Sequence, residues 1–455
     1  MRALYLLPLA VLLCCSQPVP AQENIKAITH VNVLTMTSEE VLKDYTVLLK
    51  DGKVIKMGPS SKLKVKKKNQ VIDGTGKYLM PGLTEMHAHI PTPENGDDTW
   101  VRQVLFLYVA NGVTTIRGML GDPYHLTLRK NVVNEMLIGP RVFTSSPSMN
   151  GTSIKTSQEA REKVIQYKKD GYDFLKVHPG VKREVFDTMV KTAQSLNLPF
   201  SGHVPVEVGI RHALASKYAS VDHLDGYLEG TVSAEILTQN PNGGFFGYSY
   251  VPHADEKGLA ALAAETKKQG VWVVPTQSLF TRWFSPINAN ALANEPEMQY
   301  MPSKILFQWR QNKSNLTGAN YSEVLWQRFI LFRHNILQSL YKADVDLLLG
   351  SDAPQVFNVP GFSLRHEMKS LADANLPPYV ILRSGTANPA RFFRQSGSFG
   401  TIEPGASADF ILLEANPLEN VDNTWKQVGV MLRGKWLSKA FIDAELKKIA
   451  EKNKS

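Results

Sequence analysis

From Pro81 to about residue 395 the chain alternates short apolar runs with helical stretches, and this alternation limits the fold more than any other feature. The runs are MPGLTEMHAHI, GVTTIRG, RVFTSS, DFLKVH, LPFSGHV, ASVDHLD, VWVVPTQ and VDLLLGSDAP. Between them lie stretches such as SQEAREKVIQYKKDG and REVFDTMVKTAQSLN, with apolar residues at helical spacing. Near-continuous apolar strands separated by helices call for a parallel sheet covered by those helices. Eight such strands predict a closed (β/α)8 TIM barrel over residues 81–395.

The texture differs on either side. In residues 22–80, VNVLTM, YTVLLKDGKVIKMG and VIDGTGKYLM read as strands, and DGK marks a tight hairpin. In residues 396–445, GTIEPGASADFILLEANP and VGVMLRGKWL return to strand texture. The two ends are expected to form one small β-sandwich domain with the barrel inserted in its middle. Residues 1–21 read as a signal peptide: Arg2, an apolar run from Ala3 to Cys15, and small residues at Val19 and Ala21, with cleavage after Ala21. That predicts an exported protein, periplasmic or secreted, without stable membrane insertion. Cys14 and Cys15, the only cysteines, fall in this segment, so the mature chain needs no disulfide and uses no thiol chemistry. The formal charge of +9 owes part to Lys62, Lys64, Lys66, Lys67 and Lys68. No aromatic residue interleaves with them, which argues for a solvated loop and against a nucleic-acid surface.

In MPGLTEMHAHI, His87 and His89 stand two apart, so on a strand both side chains point to one face. At the C-terminal end of a barrel strand that face is where barrel enzymes keep their sites. Alone, the pair fits satisfied buried histidines as well as metal ligands. Four more polar residues close other runs: Lys176, His203, His223 and Asp352. Buried polar groups need partners, and a metal satisfies four imidazoles and a carboxylate together. Arg117, closing GVTTIR, is a candidate for gripping a substrate carboxylate, with a structural ion pair as the alternative. His178, two residues past Lys176, is a candidate substrate contact or a hydrogen-bonded rim residue.

PGLTEMHAH, GVTTIRG, GPRVF, SGHVP, VDHLDG, GSDAP, TANPARFF and GTIEPGASADFILL together resemble the amidohydrolase superfamily, closest to its imidazolonepropionase-like and metal-dependent Xaa-Pro dipeptidase branch. The resemblance implies two divalent metal ions, zinc first. His87, His89 and Asp352 would hold one, His203 and His223 the other, and Lys176 would bridge them as a carbamate. An ammonium cannot ligate a cation, whereas a neutral lysine that has added carbon dioxide can, and buried lysines lose their proton readily. Gly118 stands where relatives often carry aspartate, and VHPG follows Lys176, departures that bear on substrate choice.

The expected activity is hydrolysis of an amide bond, with Asp352 as the base that moves a proton from water to the leaving amine. Dipeptides or N-acyl amino acids are the expected substrates. A cyclic amide is the alternative, as are an ester or phosphotriester on the same site and a barrel retained as a binding protein; homo-oligomers are compatible with all of these. After VWVVPTQ, residues 278–322 are expected to form a long aromatic-rich lid over the metals, lining the side-chain pocket.

Overall fold

A computed structural model of the chain describes residues 25–66, 69–318 and 321–454. The signal segment, both cysteines, Lys67 and Lys68 lie outside the described residues.

Five strands open the chain: β1 (Lys26–Leu34), β2 (Val41–Lys50), β3 (Lys53–Pro59), β4 (Gln70–Asp73) and β5 (Tyr78–Pro81). The β2–β3 hairpin turns at Asp51 and Gly52, both with positive φ, the primed turn that matches strand twist. The barrel follows with β6 (Leu83–Ala88), β7 (Val113–Gly118), β8 (Arg141–Met149), β9 (Phe174–Val177), β10 (Phe200–Gly202), β11 (Ser220–Asp222) and β12 (Trp272–Val274). The chain then returns to the first sheet as β13 (Phe410–Leu413), β14 (Gln427–Leu432) and β15 (Lys435–Ser438).

The two chain ends make a single eight-stranded sheet in the order β15-β14-β13-β5-β1-β2-β3, with β4 against β1. Ile28, Val33, Val47, Leu79, Phe410 and Met431 form its core. A helix from Lys439 to Lys454, absent from the sequence reading, packs Ile442 and Ile449 between this sheet and the helix Thr99–Ala110.

β12 to β6 form a parallel sheet in sequential order. The run VDLLLGSDAP closes it as an irregular segment, bridging β12 at Val273–Leu347 and β6 at Ala88–Ala353. Gly350 explains part of this tightness: a Cβ there would stand 2.6 Å from the Val274 side chain and 2.9 Å from the His87 amide nitrogen. All six residues of β6 are buried, as are all six of β7, which fits strands covered on both faces. Among the described residues no helix is long and apolar enough to cross a membrane.

Candidate active site

The C-terminal ends of the barrel strands bring His87, His89, Lys176, His203, His223 and Asp352 to one place. His87 and His223 ring centroids are 4.5 Å apart, His223 and His203 also 4.5 Å, and His87 and His89 5.7 Å. Ligand atoms of His87, His89 and Asp352 lie within 4.8 Å of one another. Asp352 Oδ1 is 2.6 Å from His89 Nε2 and 3.5 Å from His87 Nε2, while Oδ2 is 3.9 Å from His223 Nδ1. Lys176 Nζ lies 3.4 Å from His87 Nε2.

The imidazoles are aimed by what holds their other nitrogen. His87 Nδ1 is 2.8 Å from Asp222 Oδ2, His203 Nδ1 is 3.1 Å from Asp225 Oδ2, and His223 Nδ1 is 2.8 Å from Thr276 Oγ1. A carboxylate can only accept, so in His203 the proton sits on Nδ1 and Nε2 keeps its lone pair for the centre; His87 Nδ1 faces Asp222 at ion-pair distance without the angle of a hydrogen bond. His223 Nε2 is buried and, among the described residues, has no hydrogen-bond partner, which a buried polar atom does not leave unmade without reason. Burial pushes both His87 and His223 well below the ordinary histidine range. Neutral rings are the form that binds metal. Burial also pushes Lys176 down to about 8, against the opposing pull of Asp222 and Asp352. The residues therefore fit divalent cations: nitrogen and carboxylate donors, neutral rings, and an orphaned inward nitrogen.

The backbone reaches these positions at a cost. His223, Leu224, Thr276 and Asp352 all have φ between +47° and +66°. For residues with a Cβ this left-handed region costs about 1 kcal/mol or more each. Gly202 precedes His203 with φ +125°, and a Cβ there would stand 2.4 Å from the Val177 carbonyl oxygen and 3.0 Å from the Lys176 side chain. Only glycine lets the β10 end come this close to Lys176.

The expectation that Arg117 grips a substrate carboxylate is corrected by its surroundings. Its guanidinium is fully buried and donates to both oxygens of Asp222, to Ser220 Oγ and to the Met86 carbonyl. Arg117 thus anchors the carboxylate that aims His87. His178 accepts or donates at Ser148 Oγ, 2.8 Å from Nδ1, and its ring lies 5.2 Å from that of His203.

The lid is corrected as well. Residues 278–322 are mostly helical, with helices at Gln277–Arg282, Ala289–Ala293 and Ser303–Leu316. Leu292, Met298, Met301 and Trp309 are buried against the helix Thr99–Ala110 and the end sheet. The segment that roofs the site is 241–250, PNGGFFGYSY. The Phe246 ring lies 5.4 Å from His223 and 5.8 Å from His203, and Phe280 packs behind it at 5.1 Å. Beside His203 a cleft of about 890 Å³ opens under this roof.

Sequence reasoning missed Asp222, Asp225, Thr276 and Glu85. Asp222 and Asp225 flank His223 in VDHLDG, a signal that was available. Glu85 accepts from the backbone N–H groups of His87 and Ser351 and from the Ser351 hydroxyl. It ties β6 to the closing segment, and burial pushes its carboxyl up to about 8.

The amidohydrolase family model matches residues 78–437. An adenine deaminase of Ruegeria sp. (strain TM1040) is 30% identical over 139 residues, covering 28% of this chain and 21% of the deaminase. The chain thus spans about a fifth of that relative's length. Among solved structures, bottromycin amidohydrolase aligns with a TM-score of 0.73 at 20% identity, over 94% of this chain and 90% of that one. A Xaa-Pro dipeptidase with bound methionine in the active site aligns with a TM-score of 0.66 at 17% identity, over 91% and 100%. At these identities the structural likeness shows the fold.

Proposed function

The chain belongs to the amidohydrolase family, and on that premise we propose that it is a metal-dependent hydrolase of carbon–nitrogen bonds acting on dipeptides or N-acyl amino acids. One observation carries the reading: three strand-end imidazoles, each with Nδ1 engaged, converge with Asp352 and a buried lysine. His87, His89 and Asp352 would hold one ion, His203 and His223 a second, and Lys176, as a carbamate, would touch both. Zinc suits this nitrogen and oxygen donor set. Bound divalent ions supply a lowered water pKa and a positive charge beside the scissile carbonyl.

The chain's own groups do the rest. Asp352 Oδ1 faces the first histidine pair, which leaves Oδ2 to accept a proton from water and pass it to the departing nitrogen. Asp222, held by Arg117 and Ser220, keeps the His87 ring from turning. His178, held by Ser148, has its ring 5.2 Å from that of His203 and would be available to a substrate there. Phe246 covers His203 and His223 and limits water. Export through the signal segment is part of the same proposal.

Hydrolytic deamination of a heterocycle is a second reading, favoured by the adenine deaminase match. Metal analysis of the purified protein, followed by a screen of dipeptides, N-acyl amino acids and adenine, tests both. About two divalent ions per chain and turnover of a dipeptide or N-acyl amino acid are expected. Ammonia release from adenine without peptide cleavage would select the second reading, and a metal-free protein inert to all three classes would overturn both.

A further inference from the structure

The cleft beside His203 is not uniformly apolar. Val204, Val208, Ile210, Val232, Leu237 and Phe245 supply its aliphatic and aromatic lining. Two carboxylates also border it, Asp225 and Glu229. Asp225 is committed, to His203 Nδ1 and to the Val204 N–H. Glu229 has no such side-chain partner. Among the described residues no side chain forms a hydrogen bond or ion pair with it; the backbone N–H groups of Gly226 and of Glu229 itself face its carboxylate, and the residue is partly exposed to the cleft. Its carboxylate lies against the roof: a Cβ on Gly247 would stand 2.8 Å from Oε1. Gly247 directly follows Phe246, whose ring covers His203 and His223.

The cations nearby are engaged elsewhere. Arg333 donates to Gln277 Oε1 and to the carbonyls of His223 and Pro275, and stacks over Phe280. On the rim, Arg211 pairs with Glu265, and His212 pairs with Asp187 and Arg183. A carboxylate with no ion-pair partner in a largely apolar cleft is costly; burial followed by the neighbouring Asp225 pushes Glu229 up to about 7, against the pull of Arg333. An arriving cation would remove that cost.

We propose that Glu229 is the cation-holding end of the substrate cleft, and that preferred substrates carry a free amino group beside an apolar side chain, as the first residue of a dipeptide does. The inference rests on the carbon–nitrogen hydrolase reading and narrows it, since an N-acyl amino acid has no such ammonium. The aliphatic wall takes the side chain, and Glu229 takes the ammonium by charge-assisted hydrogen bonds.

The test needs no turnover. Binding of isoamylamine and of isoamyl alcohol to the purified holoprotein is measured by ligand-observed NMR titration. The two share the branched alkyl group and differ in charge. The amine is expected to bind roughly ten- to a hundredfold more tightly, the range for a hydrogen bond to a charged group, and Glu229→Gln is expected to abolish that preference. Equal affinities in the unmodified protein, no binding of the amine, or a preference that survives in a folded Glu229→Gln would each overturn the proposal. The first two outcomes do not require the variant to fold. Where the screen finds a cleaved dipeptide, Glu229→Gln should raise KM for Leu-Ala much more than kcat falls, with N-acetyl-Leu-Ala as the reference compound. A protein that binds the amine through Glu229 yet cleaves no amide would sink the hydrolase reading and leave the cation subsite standing.

Discussion

The floor of the site and its roof are built by different physics. The floor consists of strand ends, and three of its imidazoles are placed at a second atom: His87 by Asp222, His203 by Asp225, His223 by Thr276. Behind Asp222 stand Arg117 and Ser220, so the aim of His87 is set two residues deep. The roof, 241–250, is tied at its far end by hydrogen bonds of the Tyr248 and Tyr250 hydroxyls to Ser322 and Asn240, but over the site it is held by ring contacts. Phe245 and Phe246 touch each other, and both touch Phe280. Phe246 has φ +51°, and the turn around it is closed by the Ser249 N–H donating to the Gly243 carbonyl. Directional bonds suit atoms that must be placed to a fraction of an ångström. Ring contacts suit a cover that must admit and release a substrate.

That contrast can be broken from the floor. Asp352→Asn keeps the shape and one oxygen ligand but removes the proton acceptor. Turnover should fall by about 10²–10⁴, the usual contribution of a general base, with circular dichroism unchanged. A near-normal rate would move the base role to another group, His178 first.

Next comes the ring that supports the roof. Phe280 is fully buried between the roof rings and Phe329, with Arg333 over its face at 3.4 Å. Phe280→Ala should cost about 3–5 kcal/mol of stability, the range for deleting a buried phenylalanine, read as a shift in the denaturation midpoint. A lid residue would show the opposite pattern, altered side-chain selectivity at unchanged stability, and that outcome would restore the covering role expected for residues 278–322.

The aim of the His87 ring offers a smaller effect. Asp222→Asn preserves a hydrogen-bonding shape beside Arg117 and Ser220 but can present an N–H to His87, which favours the wrong tautomer. Metal affinity should fall by about 10- to 100-fold, as for other partners of metal-bound histidines, measured by competition with a chelator. An unaltered affinity would mean that strand geometry alone aims the ring.

The floor was legible in the sequence and the roof was not, for a reason that these residues illustrate. His87, His203, His223 and Asp352 end apolar runs, and in a barrel every strand end reaches the same face, so one-dimensional position implies three-dimensional convergence. Arg117 ends such a run too, but it lies inward, where the buried carboxylate of Asp222 claims it. Strand position says which end a residue occupies and not which neighbour takes its charge. The roof depends on contacts between 241–250 and 277–284, segments separated by β12 and a helix, and nothing in PNGGFFGYSY or in the stretch Phe280–Trp309 tells which aromatic residues find a core. Trp309 and Met301 found one at the end sheet, a partner contributed by the far end of the chain. The helix Lys439–Lys454 was missed because its burial comes from the same long-range packing.

The smallest expected effect is at the roof itself. Phe246 is only partly buried, touches His203 and His223 by ring contact alone, and makes no side-chain hydrogen bond. Phe246→Ala removes the cover without disturbing a ligand's second bond. Metal content should therefore stay as it is, and the melting temperature should move less than in Phe280→Ala, because a partly exposed side chain has less buried surface to lose. KM should rise by roughly three- to tenfold, from one lost apolar contact worth about 1 kcal/mol, while kcat falls less. Side-by-side titration of metal and of substrate separates the two layers: loss of metal in Phe246→Ala would mean that the roof also holds the imidazoles in place, and the division between bonded floor and packed roof would then fail at its most exposed contact.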